Sequence, residues 1–84
     1  MEADQVKQLI ADAFSQKVQI DVQTADGVHF EAVVISEAFA DLNRVKRQQK
    51  VYQNLRAYIE SGALHAIALK TYTFQEWADQ KSEG

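Results

Sequence analysis

Residues 18–35 read VQIDVQTADGVHFEAVVI, and this stretch decides the fold. Its first six residues alternate between apolar and polar side chains, which is typical of a half-buried strand. Asp26-Gly27 then supplies a turn, because glycine adopts positive φ without strain. The last four residues, AVVI, are all apolar, so we expect both faces of the second strand to be covered there. The stretch therefore predicts an antiparallel hairpin whose second strand is the more central one.

A helix is predicted on each side of this hairpin. Before it, apolar residues within 6–14 recur at the spacing of an amphipathic helix. After it, a longer helix is predicted from Asn43, which suits an N-cap, to Glu60, and Gly62 follows as the residue that ends it. The apolar stripe of this longer helix consists of Val45, Tyr52, Leu55 and Ile59.

The C-terminal part contains a third strand and a last helix. Residues 64–72 are predicted to form the strand, and a right-handed crossover makes it parallel to the second strand. Thr73 and Glu76 have the spacing of a capping box. The last helix should end near Gln80, and residues 81–84 should fray. The order α-β-β-α-β-α predicts an α/β (α+β) fold, with a three-stranded mixed sheet covered by helices.

Composition restricts the classes of function. The chain has 84 residues, 46% hydrophobic and 25% charged, with a net charge of −3, which predicts one globular domain over residues 1–80. The absence of cysteine excludes a disulfide, a thiolate zinc site and an iron–sulfur cluster held by the chain's own thiolates. We expect a cytoplasmic protein without membrane contact, because the N-terminus is acidic and no apolar run approaches ~20 residues. No nucleophile elbow, P-loop or metalloprotease motif is present, so we do not expect an enzyme.

Two histidines are the candidate metal ligands. Parallel pairing would bring the N-terminal ends of the second and third strands to one sheet edge, and His29 and His65 lie near those ends. Neutral imidazole binds iron, copper and zinc. Two histidines supply at most half of a tetrahedral site, so a metal would need further ligands from a partner, a small molecule or water. The alternative is that His29 faces solvent at a loop edge and His65 is a hydrogen-bonded strand residue.

A basic segment is the second candidate site. Residues 41–56 carry a net charge of +4, whereas the rest of the chain carries −7. Such a segment could contact phosphate or an acidic protein, or could be a solvated surface. The negative charge of the whole chain weakens the nucleic-acid interpretation, because phosphate neutralisation dominates such affinity. The candidate nucleic-acid-binding residues are Arg44, Lys46, Arg47 and Lys50.

Several segments of the chain resemble the BolA family. They are residues 26–30 (DGVHF), 39–52 (FADLNRVKRQQKVY) and 64–73 (LHAIALKTYT), followed by Glu76-Trp77. The resemblance covers the chain from about Val6 to Trp77. Gln48-Gln49 stand where many members have His-Arg, and this pair points to the bacterial IbaG branch of the family. Phe74 replaces the proline that usually starts the last helix.

The resemblance implies a class II KH-like fold and a function in iron–sulfur handling. Family members pair with monothiol glutaredoxins and share a [2Fe–2S] cluster with them. The glutaredoxin cysteine and a glutathione supply thiolates, and the BolA protein supplies histidine. By position, His65 corresponds to the C-terminal ligand, and His29 corresponds to the histidine that acts as the second ligand or lies near it.

The resemblance also carries expectations about partners. It implies a heterodimer with a monothiol glutaredoxin, and it allows a homodimer when the chain is alone. The family has a history as transcription factors, and KH-like folds bind nucleic acid, so a DNA-binding stress-response regulator that uses residues 44–56 is the alternative function. The chain has no Gly-x-x-Gly loop, because its three glycines are isolated.

Overall fold

The computed structural model describes residues 1–82, in which a three-stranded sheet carries helices. The strand order is β1-β2-β3, with β1 antiparallel and β3 parallel to the central β2. The predicted α+β class, the mixed sheet and the central second strand are therefore confirmed. In chain order the elements are α1 (Ala3–Ala11), β1 (Val18–Thr24), β2 (His29–Ser36), a 3-10 turn (Glu37–Phe39), α2 (Arg44–Tyr52), α3 (Arg56–Glu60), β3 (Ala66–Tyr72) and α4 (Phe74–Ser82).

The long helix predicted from Asn43 to Glu60 is wrong, because the chain forms two shorter helices, α2 and α3, separated by a turn. Two contacts account for the interruption. The Asn54 side-chain amide donates to the backbone oxygen of Leu9 in α1, at 3.2 Å. Leu55 is fully buried, and its backbone N–H donates to Tyr52 O at 2.9 Å, a tighter i to i−3 bond. Contacts with distant parts of the chain therefore outweigh a continuous helical ladder here.

This interruption also changes which side chains the helical segment buries. Val51 and Leu55 are fully buried. Val45 is 62% exposed and Ile59 is 37% exposed, so the predicted apolar stripe is wrong at these two positions. Val45 lies in α2 six residues before Val51 and so on a different face of that helix, and Ile59 lies beyond the turn, which ends the single face on which the prediction placed all four residues.

Three of the predicted end signals are confirmed, whereas α1 ends at Ala11, before the predicted apolar spacing does at residue 14. Asn43 Oδ1 accepts the Lys46 backbone N–H at 2.9 Å and caps α2. Gly62 has a φ of +83° and follows α3, as a C-terminal glycine does. Thr73 and Glu76 form both bonds of the capping box, at 3.1 and 2.8 Å. Each of these bonds involves groups within four residues of one another, which is why the sequence alone predicts them.

Two boundaries in the C-terminal part of the chain, the start of β3 and the end of α4, differ from prediction by two residues each. β3 begins at Ala66, so Leu64 and His65 precede the strand instead of belonging to it. Helix α4 continues to Ser82, beyond the predicted end near Gln80. The rest of the predicted frayed tail, residues 83–84, lies outside the described residues. Within residues 1–82, no helix combines the length and the apolar character needed to cross a bilayer.

The core lies on one face of the sheet. Phe30, Ala32 and Val34 of β2 point into it and are buried. On the opposite face, His29 and Glu31 alternate with them and are exposed. The helix and loop side chains that complete the core are Val6, Ile10, Phe39, Val51, Leu55 and Leu64. The N-terminal end of β2 therefore offers an open sheet surface.

Candidate functional site

The parallel pairing of β2 and β3 brings the two histidines to one edge of the sheet. His29 is the first residue of β2, and its Cα partner in β3 is Ala66, the residue after His65. Neighbouring strands lie about 4.8 Å apart, so the backbones at the two histidines are close. Both histidines are exposed. We call this end of the sheet, formed by residues 28–29 and 65–66, the histidine edge.

A cleft of about 580 Å³ opens on the outer sheet face beside the histidine edge. His29 contributes to its wall, whereas His65 does not. The two histidines therefore share an edge of the sheet but not this cleft. Its other lining residues are Gln23, Thr24, Ala25, Asp26, Phe30, Glu31, Ala66 and Ala68.

Asp26 holds His29 through the hairpin turn. Asp26 Oδ2 lies 2.8 Å from His29 Nδ1, and Oδ1 accepts the backbone N–H groups of Val28 and His29 at 2.9 and 2.8 Å. These bonds lower the pKa of the Asp26 carboxyl group far below its usual value, first the bond to the His29 ring and then the two backbone N–H groups. The His29 side chain is still 70% exposed. Nδ1 is therefore engaged, while Nε2 is left for another partner.

The Asp26 contact was not predicted from the sequence. The signal that could have revealed it is the spacing in Asp26-Gly27-Val28-His29. Aspartate at the start of a turn commonly accepts backbone N–H groups two and three residues later. A histidine at that third position brings its ring to the same carboxylate.

The donor set at the histidine edge fits a metal site that is shared with another molecule. Within residues 1–82, no group of three or more His, Asp or Glu side chains could hold a metal ion. The edge offers two exposed imidazoles, which are the ligand type that suits iron, copper and zinc. In His29, a carboxylate binds the ring nitrogen opposite the one that would ligate, as in many metal-binding histidines.

Arg47, one of the candidate nucleic-acid ligands, is engaged within the protein. Its Nε donates to the carbonyl oxygens of Phe39 and Leu42, at 3.1 and 2.9 Å. Its two terminal nitrogens donate to the two carboxylate oxygens of Glu76, at 2.7 and 3.2 Å. Only 14% of the Arg47 side chain is exposed. Arg47 thus joins α2 to the preceding loop and to α4.

Of the other three candidates, Lys50 has contacts inside the protein, and Arg44 and Lys46 do not lie buried. Lys50 Nζ donates to the Ala13 carbonyl oxygen at 3.1 Å and lies 5.0 Å from the centre of the Phe14 ring. Arg44 and Lys46 are exposed. The structure therefore leaves two of the four predicted residues on an open surface, and it gives the other two partners inside the molecule.

A second cleft, of about 430 Å³, lies between the start of α2 and the end of β3. Arg44 and Lys70 line it together with Arg47. Gln48, one of the two glutamines noted in the sequence, also lies on its wall and is half-buried, whereas Gln49 is exposed. Of the two clefts, this one has the more basic lining.

The fold and the histidine edge define a small α+β domain that presents imidazole groups beside an open sheet face. The chain belongs to the BolA family, because the family model described as BolA-like protein matches residues 5–76. It is 38% identical, over 86 aligned residues, to the acid stress protein IbaG of Escherichia coli K12, covering 100% of this chain and 99% of that protein. This similarity confirms the predicted resemblance to the IbaG branch.

Two further comparisons concern a solved structure and a regulator. The structure of a BolA protein homologue from Coxiella burnetii superposes with a TM-score of 0.77 at 33% identity, covering 93% of this chain and 97% of that one. The DNA-binding transcriptional regulator BolA of Vibrio cholerae is 42% identical over 55 residues, covering 66% of this chain and 51% of that protein. The first comparison confirms the fold.

Proposed function

We propose that this chain is a non-enzymatic cytoplasmic protein of iron–sulfur cluster trafficking or regulation, which shares a [2Fe–2S] cluster with a monothiol glutaredoxin. One observation carries the proposal: the exposed imidazole of His29, tied to Asp26 through Nδ1, lies at the same sheet edge as exposed His65. The E. coli relative is named an acid stress protein, and we extend a stress-response function to this chain as part of the proposal.

The ligand count supports a shared cluster. A [2Fe–2S] cluster takes four ligands besides its own sulfides. This chain has no cysteine, so the two histidines are the side chains that it can offer as ligands of the types found in such clusters. A glutaredoxin cysteine and a glutathione would complete the set with two thiolates. Imidazole in place of thiolate raises the reduction potential of such a cluster.

Exposed apolar side chains next to the histidines suit a protein partner. Val28 directly precedes His29 and is 38% exposed. Tyr58 and Ile59 are exposed in α3, and the Tyr58 carbonyl oxygen accepts the backbone N–H of Leu64, next to His65, at 3.0 Å. A partner that reaches His29 would cover Val28.

Mixing the chain with a monothiol glutaredoxin, iron, sulfide and glutathione tests the proposal. We expect a 1:1 complex in size-exclusion chromatography, with visible absorption and circular dichroism that differ from those of the cluster-bound glutaredoxin homodimer. The control is the glutaredoxin reconstituted alone, and the chain alone reports whether it forms a homodimer. A mixture whose spectrum equals that of the glutaredoxin homodimer, without a new complex, would refute the shared cluster.

A DNA-binding function is the second candidate, because Arg44 and Lys46 are exposed on the basic segment and the V. cholerae relative is named a DNA-binding regulator. We expect a binder to lose affinity as salt rises, with a slope that decreases by about one for each phosphate contact removed. Arg44→Ala and Lys46→Ala are the informative variants, since Arg47 and Lys50 have internal partners. Absence of binding to duplex DNA at low salt would contradict this function.

A further inference from the structure

We propose that Asp26 is a positioning residue for His29, which keeps the ring hydrogen on Nδ1 and thereby makes Nε2 the nitrogen that binds a metal. The part of this inference that concerns the metal rests on the proposed function. The part that concerns the ring hydrogen is a property of the chain by itself, so the two parts can be tested separately.

The bonding of the carboxylate determines which ring nitrogen carries the hydrogen. An ionised carboxylate only accepts hydrogen bonds. An exposed aspartate is ionised at neutral pH, and the closest other groups bound to its carboxylate are backbone N–H donors, so the 2.8 Å contact requires a hydrogen on His29 Nδ1. Neutral imidazole has a single N–H. Nε2 of neutral His29 must then carry the lone pair that a metal needs.

The turn fixes the carboxylate before any metal binds. Asp26 Oδ1 is used by the backbone N–H groups of Val28 and His29, which leaves Oδ2 for the ring. Gly27 has a φ of +75° at the turn, and its N–H donates to Thr24 Oγ1 at 2.9 Å. The same hydroxyl donates to the His29 carbonyl oxygen at 2.7 Å. Both ends of the turn are thereby tied, so the ring is held relative to β2.

This arrangement has a known consequence for metal affinity. A carboxylate on the far nitrogen orients a ligating imidazole and increases its basicity, and loss of such a partner typically lowers metal affinity 10- to 100-fold. Position 26 is therefore expected to influence the metal without touching it. Within residues 26–30, the segment that resembles the BolA family, Asp26 would then orient His29.

Asp26→Asn tests the tautomer of His29 while keeping the hydrogen-bond acceptor of the turn. Asparagine keeps an Oδ1 that can accept the backbone N–H groups of Val28 and His29. It replaces Oδ2 with an NH₂ group, which can only donate to the ring. We therefore expect the variant to move the His29 hydrogen from Nδ1 to Nε2, whereas the backbone amide shifts of Val28 and His29 stay close to those of the natural chain.

The measurement is a long-range ¹⁵N–¹H correlation spectrum of the cluster-free chain, labelled at histidine, at about pH 8.5, where imidazole is neutral. His65 serves as an internal reference. Asp21→Asn is the matched control, because Asp21 is an exposed acid of β1 whose side-chain oxygen accepts a bond from Gln23 instead of histidine. An Nε2–H form of His29 in the natural chain, or an unchanged tautomer in Asp26→Asn, would overturn the proposal.

A second measurement follows the cluster in the mixed complex with glutaredoxin. We expect Asp26→Asn to release it 10 to 100 times more readily to a chelator than the natural chain or Asp21→Asn does. Equal retention in all three proteins would overturn the metal part of the proposal. Failure of the natural chain to form any shared cluster would refute the proposed function, while the predicted tautomer in the cluster-free spectrum would still support the assignment for Asp26.

Discussion

Arg47→Ala should lower the free energy of unfolding by about 2–3 kcal/mol, which is large for a domain of this size. The substitution removes the Nε donor from the carbonyl oxygens of Phe39 and Leu42, of which the first keeps the Leu42 backbone N–H, and it removes both bonds to the Glu76 carboxylate. It also removes a guanidinium that lies 5.7 Å from the centre of the Phe39 ring. Urea unfolding followed by far-UV circular dichroism measures the change.

Arg44→Ala is the matched control, since it removes the same charge from the same helix at an exposed position. We expect it to change stability by less than about 0.5 kcal/mol. Arg47→Lys should recover only part of the loss, because an ammonium group cannot make the forked contact with Glu76 while also reaching two carbonyl oxygens. Equal effects of Arg47→Ala and Arg44→Ala would show that the Arg47 contacts contribute nothing.

The Arg47 effect should decrease in acid. The Arg47 side chain, and after it the Thr73 backbone N–H, hold the pKa of Glu76 below its usual value. A carboxyl group whose pKa is lowered by folding contributes stability above its unfolded pKa, about 4.3, and loses it as the pH falls through the lower folded value. The difference between the natural chain and Arg47→Ala should therefore be largest near pH 7 and smaller below about pH 4. The carbonyl bonds of Arg47 persist there, so some difference should remain.

The parts of the fold that could be predicted from the sequence are those set by neighbouring residues. The hairpin depends on Gly27, the start of α2 on Asn43, and the start of α4 on the Thr73 and Glu76 pair. The break between α2 and α3 could not be predicted, because the bond from Asn54 to Leu9 joins residues 45 positions apart. Periodicity in a helical segment does not report a contact of that range.

The site shows the same division. The approach of the two histidines was predicted, since parallel pairing of two strands fixes which ends meet. The engagement of Arg47 was not, because a count of charges cannot tell a solvated guanidinium from one that contacts Glu76 across 29 positions. Sequence reasoning therefore located the histidine edge but overestimated the basic surface.

His65→Ala should abolish the spectrum of the shared cluster in the mixture with glutaredoxin, leaving that of the glutaredoxin homodimer. Without this imidazole, one iron lacks a ligand and the complex loses its advantage over the homodimer. His29→Ala should have a similar or weaker effect. The His65 side chain is exposed, so His65→Ala should not change the free energy of unfolding by more than about 0.5 kcal/mol. His29→Ala also removes the bond to Asp26, so unfolding curves of both variants provide the control for folding.

His65→Cys is the complementary test, because it replaces the imidazole with a thiolate, which is also a cluster ligand. A thiolate at this position should retain the cluster in the mixed complex, and it should lower the reduction potential by on the order of 100 mV, since imidazole ligation raises the potential of [2Fe–2S] centres. Redox titration followed by visible circular dichroism measures the shift. A potential that is the same in His65→Cys and in the natural complex, with the cluster still shared, would show that residue 65 is not a ligand and would contradict the proposed ligand set.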